Sequence, residues 1–291
     1  MKKSLVLILL VVTLVAALAI GVMGCKSAPV EKVKMVSTTL STGEEYAFIV
    51  KQSDTALLTQ ANEFLAAKSK EVEEIISKYT AEDADLTSFG ITVNTTPSIE
   101  KMDSQLVVAT NAEFAPFEYM NGSKFAGIDI EIMKLLADYL NQELVIVNME
   151  FDAVVESVQQ VASYDIGAAG LTITPERAEV VTFTSAYFGT TQAIIVNKDD
   201  TTFDDCKTAA ELTEKLASLT GAAAKCGGQT GTTSQFFING SEDFEFDGFA
   251  NLTFAPYSSA AVAVQDMING NIAFVVVDKT VGEAIVASIN S

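Results

Sequence analysis

The residues with the clearest chemical promise lie in one run, Gly170-Leu171-Thr172-Ile173-Thr174-Pro175-Glu176-Arg177. There an apolar segment gives way to hydroxyls and a guanidinium. No lysine, second arginine or histidine stands near that arginine in sequence. A lone planar cation at the mouth of a strand suits one carboxylate, held through two parallel hydrogen bonds; the plainer reading is a surface ion pair. The chain has no histidine. That removes Ser-His and Cys-His nucleophile pairs and the commonest metal ligand, which argues against most hydrolases; no metal and no cofactor are expected. Cys206 and Cys226 are the only cysteines beyond Cys25. In an exported protein such a pair implies a disulfide, worth roughly 3 kcal/mol for a loop of about 20 residues on the entropic account. Two free buried thiols are the alternative.

The charge balance narrows the partners. A formal charge of −20 and a pI near 4.2 argue against nucleic acid, whose phosphates need clustered cations; a soluble surface outside the cytoplasm explains the acidity. Residues 1–24 read as a leader: Lys2 and Lys3 precede an apolar run from Leu5 to Met23 and then Gly24-Cys25. The run is long enough to span a bilayer if retained. Val22-Met23-Gly24-Cys25 resembles the lipobox of bacterial lipoproteins, although its first two residues are not the commonest there. The resemblance implies lipidation at Cys25, a tether over residues 25–31, and a protein held on the outer side of a membrane.

The elements that must position Arg177 are legible as periodic segments. Leu106–Thr110, Glu143–Met149 and Asp165–Leu171 read as strands, with helices over Ile128–Leu140 and Ala153–Val161 between them. Strands alternating with helices imply an α/β fold with mostly parallel sheets, whose ligands lie beyond the carboxyl ends of the strands. Asn111, Phe114, Phe151, Thr172 and Arg177 all follow strand ends. A second set repeats the pattern: strands over Ala193–Asn197, Ala222–Gln229 and Ile272–Asp278, with helices over Ala209–Leu219, after Ser234, Ala260–Asn269 and Thr280–Ile289. Asp278 stands where it would cap the last helix. In front lie short strands over Lys32–Val36 and Tyr46–Lys51. An amphipathic helix follows from Ser53 to Tyr79 with a break near Ser69, and then an aperiodic linker over residues 81–105.

Several stretches together resemble the polar-amino-acid family of bacterial extracellular solute-binding proteins, the receptors of ABC importers. ATNAEFAPFEY, FAGIDIEIMKLLADYL, MEFDAVV, GLTITPER and VTFTSAYF are similar to motifs of that family's first lobe; QTGTT and INGNIAFVVVDK are similar to motifs of the second. The resemblance implies a two-lobed periplasmic-binding-protein-like fold with the ligand cleft between lobes, a monomer and no catalysis. It also implies a circular permutation, because residues 32–80 resemble the segment that in the family follows lobe 2. On that reading residues 32–44 belong to lobe 2 and residues 45–80 supply the closing strand and helix of lobe 1. Residues 81–105 then join the ancestral termini, residues 106–190 form the main body of lobe 1, and residues 191–291 that of lobe 2.

Carried over position by position, the family's pattern gives Arg177 the carboxylate of a free L-amino acid, with backbone N–H groups of Thr172 and Thr233 completing its shell. Asp278 and the Gly170 carbonyl take the ammonium; Phe114 and Phe151 flank the ligand side chain; Asn111 and Gln229 reach its tip. Two neutral amides suit a glutamine-like ligand, whereas Glu113 and Asp152 nearby would favour a basic one. The chain departs from the family at Ser185-Ala186, where Asp-Pro is usual, and at Glu156, where proline is usual; both bear on how the lobes close. An ABC permease in the cytoplasmic membrane is the implied partner. The rival readings are a dehydratase-like enzyme on the same scaffold, with Glu113 as its general acid, and an amino-acid sensor.

Overall fold

Runs such as LVVAT and FVVVD leave no position for water. Every residue of the strands Gln105–Thr110 and Phe274–Asp278 is buried. A strand buried on both faces must be the middle layer of a sandwich with helices above and below, and the structure, a computed structural model, builds two such sheets. It describes residues 31–40, 42–242 and 245–291; the expected leader and the lipidation site Cys25 lie outside the described residues.

The first sheet runs in the order Val181–Phe183, Ile49–Lys51, Ile166–Gly167, Gln105–Thr110, Glu143–Asn148. The second runs Val33–Met35, Gln192–Asn197, Phe274–Asp278, Lys225–Gln229, Thr253–Tyr257. This is the expected α/β, two-lobed fold with a cleft between the lobes, with one difference in detail. In each sheet two strand pairings are parallel and two antiparallel. The antiparallel half is where chain returns from the other lobe, because a crossing segment enters against the direction set by the strand-helix units.

The two crossings run side by side. Glu44–Tyr46 pairs antiparallel with Phe188–Thr190, placing Glu44 opposite Thr190 and Tyr46 opposite Phe188. The expected single strand over Tyr46–Lys51 is therefore two: a hinge strand ending at Tyr46 and a lobe-1 strand beginning at Ile49. Between them Ala47 donates to the Leu171 carbonyl at 3.0 Å, and Phe48 stacks on Tyr187 with ring centroids 4.5 Å apart.

Residues 55–80 form two helices, Thr55–Ala67 and Ser69–Thr80, split at Lys68. Asp54 rather than Ser53 caps the first, accepting from the Leu57 amide at 2.9 Å. They pack on the lobe-1 helix Ile128–Leu140, where Lys78 Nζ and the Tyr79 hydroxyl both donate to Glu131 Oε1, at 2.6 and 2.7 Å. That helix starts at Gly127, with φ at +128°, where a Cβ would fall 2.0 Å from the Phe117 carbonyl oxygen; only glycine fits. The stretch before Gln105 is fastened to lobe 1 rather than loose: Ile91 bridges Phe125, Asn94 bridges Val145, and the Tyr119 hydroxyl donates to the Leu86 carbonyl at 2.7 Å.

Two expectations need correction. Cys206 and Cys226 form no disulfide; both are buried free thiols. The Cys226 sulfur faces the Thr253 carbonyl on the neighbouring strand at 3.8 Å, while that of Cys206 faces the Glu211 carbonyl at 3.7 Å, so each is committed to its own surroundings. Burial pushes the Cys226 thiol up to about 12, which leaves it inert rather than reactive. Second, Thr253–Tyr257 is a strand that periodicity did not signal. It contains Pro256 and survives because it is an edge strand, where a missing N–H costs little.

Candidate ligand-binding cleft

The lobe-1 wall is set by local backbone rules. Gly170 has φ at +54°, and a Cβ there would lie 2.8 Å from the Phe114 ring, so the turn needs glycine both conformationally and sterically. Its amide donates to Asp129 Oδ2 at 3.0 Å. Four residues on, the Thr174 hydroxyl caps a short helix, Pro175–Ala178, by accepting from the Arg177 amide at 3.2 Å. This aims the Arg177 side chain back along the strand end. Arg177 is buried, and its guanidinium donates to the Thr172 carbonyl in lobe 1 at 2.9 Å and to the Gly231 carbonyl in lobe 2 at 3.1 Å. It also lies 5.5 Å above the Phe151 ring, within cation–π range.

Lobe 2 presents its own strand ends. Gln229 terminates Lys225–Gln229 and crosses the cleft, its amide nitrogen donating to Asn111 Oδ1 at 2.8 Å and to the Ser258 carbonyl at 3.0 Å. Its Oε1 is buried and takes no hydrogen bond. Asp278 ends Phe274–Asp278 opposite Gln192 on the adjacent antiparallel strand, so the two side chains share a face. Gln192 Nε2 donates to Asp278 Oδ1 at 3.1 Å.

Glu44 and Gln192 were not singled out by sequence. Glu44 is buried at the hinge, with Oε2 accepting from the Thr172 hydroxyl at 2.9 Å and the Thr233 hydroxyl at 2.6 Å, and Oε1 from Gln192 Nε2 at 2.9 Å. One carboxylate thus ties both lobes and the hinge. Burial, and then the Glu44 charge beside it, push the Asp278 carboxyl up to about 7 against the polar pull of Tyr46 and Gln192. The Tyr46 hydroxyl, fully buried next to Asp278, stops short of a well-formed hydrogen bond.

The sequence-derived residues Asn111, Phe114, Phe151, Gly170, Thr172, Arg177, Gln229, Thr233 and Asp278 are all buried around this cleft, at the carboxyl ends of strands from both lobes. Glu113 and Asp152 are exposed, unlike those nine residues. Residues that could hold a metal do not gather: among the described residues no cluster of three or more histidine, cysteine, aspartate or glutamate side chains has that geometry.

Comparison with known proteins follows the same outline. Residues 106–283, well over half of the chain, match the bacterial extracellular solute-binding proteins, family 3. The chain belongs to that family. The family's members are extracellular receptors, and similar curated proteins are named as binding proteins. The ABC transporter arginine-binding protein 1 of Escherichia coli (strain K12) is 30% identical over 163 residues, which cover 56% of this chain and 58% of the relative. The arginine-binding extracellular protein ArtP of Bacillus subtilis (strain 168) is 31% identical over 100 residues, covering 34% of this chain and 39% of the relative. The chain thus spans less than two thirds of the length of these curated relatives. Among solved structures, holo ArgBP from T. maritima superposes with a TM-score of 0.54 at 29% identity, covering 66% of this chain and 77% of that one. An ancestral amino acid-binding protein, described as a precursor of cyclohexadienyl dehydratase, does so at 0.55 and 28%, covering 65% and 77%.

Within the family, Glu44 and Gln192 needed tertiary structure to be seen. Glu44 stands beside Glu45 in a polar stretch after Gly43, and two adjacent acids read as a solvated loop. Only the pairing with Phe188–Thr190 gives the Glu44–Tyr46 segment its buried-exposed-buried alternation.

Proposed function

We propose that this protein is an extracytoplasmic receptor that closes two lobes on one polar L-amino acid and delivers it to an ABC importer. The observation that carries the reading is the position of Arg177. Its guanidinium bonds a backbone carbonyl of each lobe, at 2.9 and 3.1 Å, so this cation lies where the lobes meet. There it takes the ligand's carboxylate, with backbone groups of Thr172 and Thr233 beside it. Asp278 and the Gly170 carbonyl take the ammonium, and Phe114 and Phe151 flank the side chain. The unpaired Gln229 Oε1 favours a side chain that ends in N–H donors, a glutamine-like amide or the guanidinium of a basic amino acid. Relatives named as arginine-binding support the second.

Lipidation at Cys25 anchors the receptor to the outer side of a membrane, and the ABC permease lies in the cytoplasmic membrane. The order of segments reflects a circular permutation of the family's chain. The strand Ile49–Lys51 and the helices that follow complete lobe 1 from in front of it, and the family model matches from residue 106 onward. Asn290 bonds both the Lys32 amide at 2.8 Å and the Val33 carbonyl at 2.9 Å. A reordered chain, residues 104–291 followed by 30–80, is therefore expected to fold and bind; failure to fold would count against the permutation.

A thermal-shift screen against the twenty common amino acids tests the function, since a ligand of the folded state raises the midpoint as its concentration passes the dissociation constant. At least one polar amino acid is expected to do so. Arg177→Ala should then weaken that ligand at least about a hundredfold by calorimetry, because a buried charge is left without its partner. Unchanged affinity would remove Arg177 from the site, and turnover of the bound ligand would turn the protein into an enzyme.

A further inference from the structure

We infer that Glu44 is a second acid of the ammonium subsite, so that the ligand's α-ammonium is held between two carboxylates, Glu44 and Asp278, rather than by Asp278 alone. The inference rests on the reading of the cleft as an amino-acid site and names what recognises the amine there.

Three observations carry it. Glu44 and Asp278 are both buried, at 4% and 3% exposure, and Gln192 Nε2 donates to each of them, at 2.9 and 3.1 Å. One amide nitrogen thus brings the two carboxylates within reach of a common small donor. Among the described residues, the hydrogen bonds that reach the Glu44 carboxylate come from neutral groups: the hydroxyls of Thr172 and Thr233 and the Gln192 amide. Two buried acids served only by neutral donors are costly unless a cation completes them. Between them the fully buried Tyr46 hydroxyl stands beside Asp278 with no well-formed hydrogen bond. Its oxygen is an unused acceptor for a third N–H. An ammonium has three N–H donors, so Glu44, Asp278 and one neutral oxygen form a matching set.

The hydrogen-bond partners of Glu44 link it to the Asp278 end of the site. Gln192 lies opposite Asp278 across the strand pair and its amide serves Glu44 as well, whereas Asn111 and Gln229 bond to each other and to neither acid. Glu44 therefore reads the α-amine, which every amino acid carries, and not the side chain.

The test compares each of L-arginine and L-glutamine with the same acid lacking its α-amino group, on the full chain, by calorimetry. The wild type is expected to prefer the amino acid, and Glu44→Gln to narrow that preference by about ten- to hundredfold while leaving the deamino acid within about threefold. Glu44→Asp keeps the charge and should retain more of the preference; it serves as the comparison if Glu44→Gln does not fold. Equal weakening of both ligands would make Glu44 a hinge brace and overturn the inference. Tighter binding of both would make it a rival of the ligand carboxylate for Thr172 and Thr233, and would overturn it too. If the wild type bound no amino acid, the proposed function itself would fail and this inference with it, an outcome read without any Glu44 variant.

Discussion

Two pairs of buried acids lie on either side of the Gly170 turn, and they solve the same problem differently. Glu44 and Asp278 come from the hinge and lobe 2, and donors from both lobes converge on them. Glu118 and Asp129 lie within lobe 1, both fully buried, with Asp129 accepting from the Gly170 amide and the Tyr187 hydroxyl. Burial, with the charges of Asp129 and Asp278 nearby, holds Glu118 well above the usual carboxyl range, and its oxygens make no well-formed hydrogen bond. Burial raises Asp129 to about 6, against the pull of Gly170, Tyr187 and Glu118. Burial thus pushes carboxyls of both pairs toward the protonated form, but the inner pair takes its donors from within one lobe. The cleft pair lies among groups of both lobes, where the proposed ligand would bring a cation. On the proposed function, position relative to the hinge, not chemical type, separates a structural acid pair from a binding one.

The largest effect that would sharpen this contrast is on Asp278. Asp278→Asn is expected to weaken amino-acid binding at least about a hundredfold by calorimetry, since on the proposed function it removes a buried charge partner of the ligand. The same change should stabilise the ligand-free fold at high pH. A carboxyl raised to about 7 in the fold, from an ordinary value of 3.8, keeps its proton on folding. Its contribution is therefore fully favourable below about 4 and is lost as pH rises through about 7. The midpoint of ligand-free Asp278→Asn should accordingly exceed the wild type's by more at pH 8 than at pH 5. Amino-acid binding to the wild type should release protons near pH 6, because an ammonium beside Asp278 favours its charged form. A variant that bound normally would dissolve the distinction between the pairs.

Asp129→Asn should invert the pattern, costing stability more than recognition. The asparagine keeps one acceptor and turns an amide N–H toward the Gly170 amide or the Tyr187 hydroxyl, both of which donate in the native fold. A mismatched buried donor costs about 1–3 kcal/mol, read as a lower denaturation midpoint at unchanged m-value. Binding should weaken less than in Asp278→Asn, because Asp129 acts on the ligand only through the position of Gly170. A larger loss of binding than of stability would assign the inner pair to the site.

The contrast also shows what sequence could carry. Thr172 and Asp278 could be placed because each ends a strand-like run and Arg177 because it follows one, and the ends of parallel strands converge; their roles came from the resemblance to the family. Glu44 was not, since its burial depends on Thr190, a residue 146 positions away in sequence (190 − 44) with which it pairs. The short strand Glu44–Tyr46 carries too few residues for a period to show. Cys206 and Cys226 misled for a related reason: counting cysteines ignores where their side chains point, and these two face different carbonyls. The Thr253–Tyr257 edge was hidden by its proline. In each case the missing information was a pairing between distant segments, whereas the lobe-1 helix Ile128–Leu140, a local amphipathic pattern, was read with both ends in place.

The smallest expected effect is on Glu118. Burial pushes the Glu118 carboxyl toward its protonated form, and glutamine at that position matches that form closely in shape, charge and donor, with an amide that can face Asp129. Glu118→Gln should therefore leave stability at pH 7 within about 1 kcal/mol of the wild type, small for a change at a fully buried polar residue. The sign of its pH dependence follows from the raised carboxyl. The wild type loses stability as pH climbs from the unfolded value toward the folded one, and the glutamine variant does not. Denaturant unfolding should thus favour the variant progressively from pH 5 to pH 8. A loss of more than about 2 kcal/mol at pH 7 would mean that Glu118 works as a carboxylate. The two pairs would then be alike in needing a counter-charge, and the lobe-1 pair would have to find it inside a single lobe.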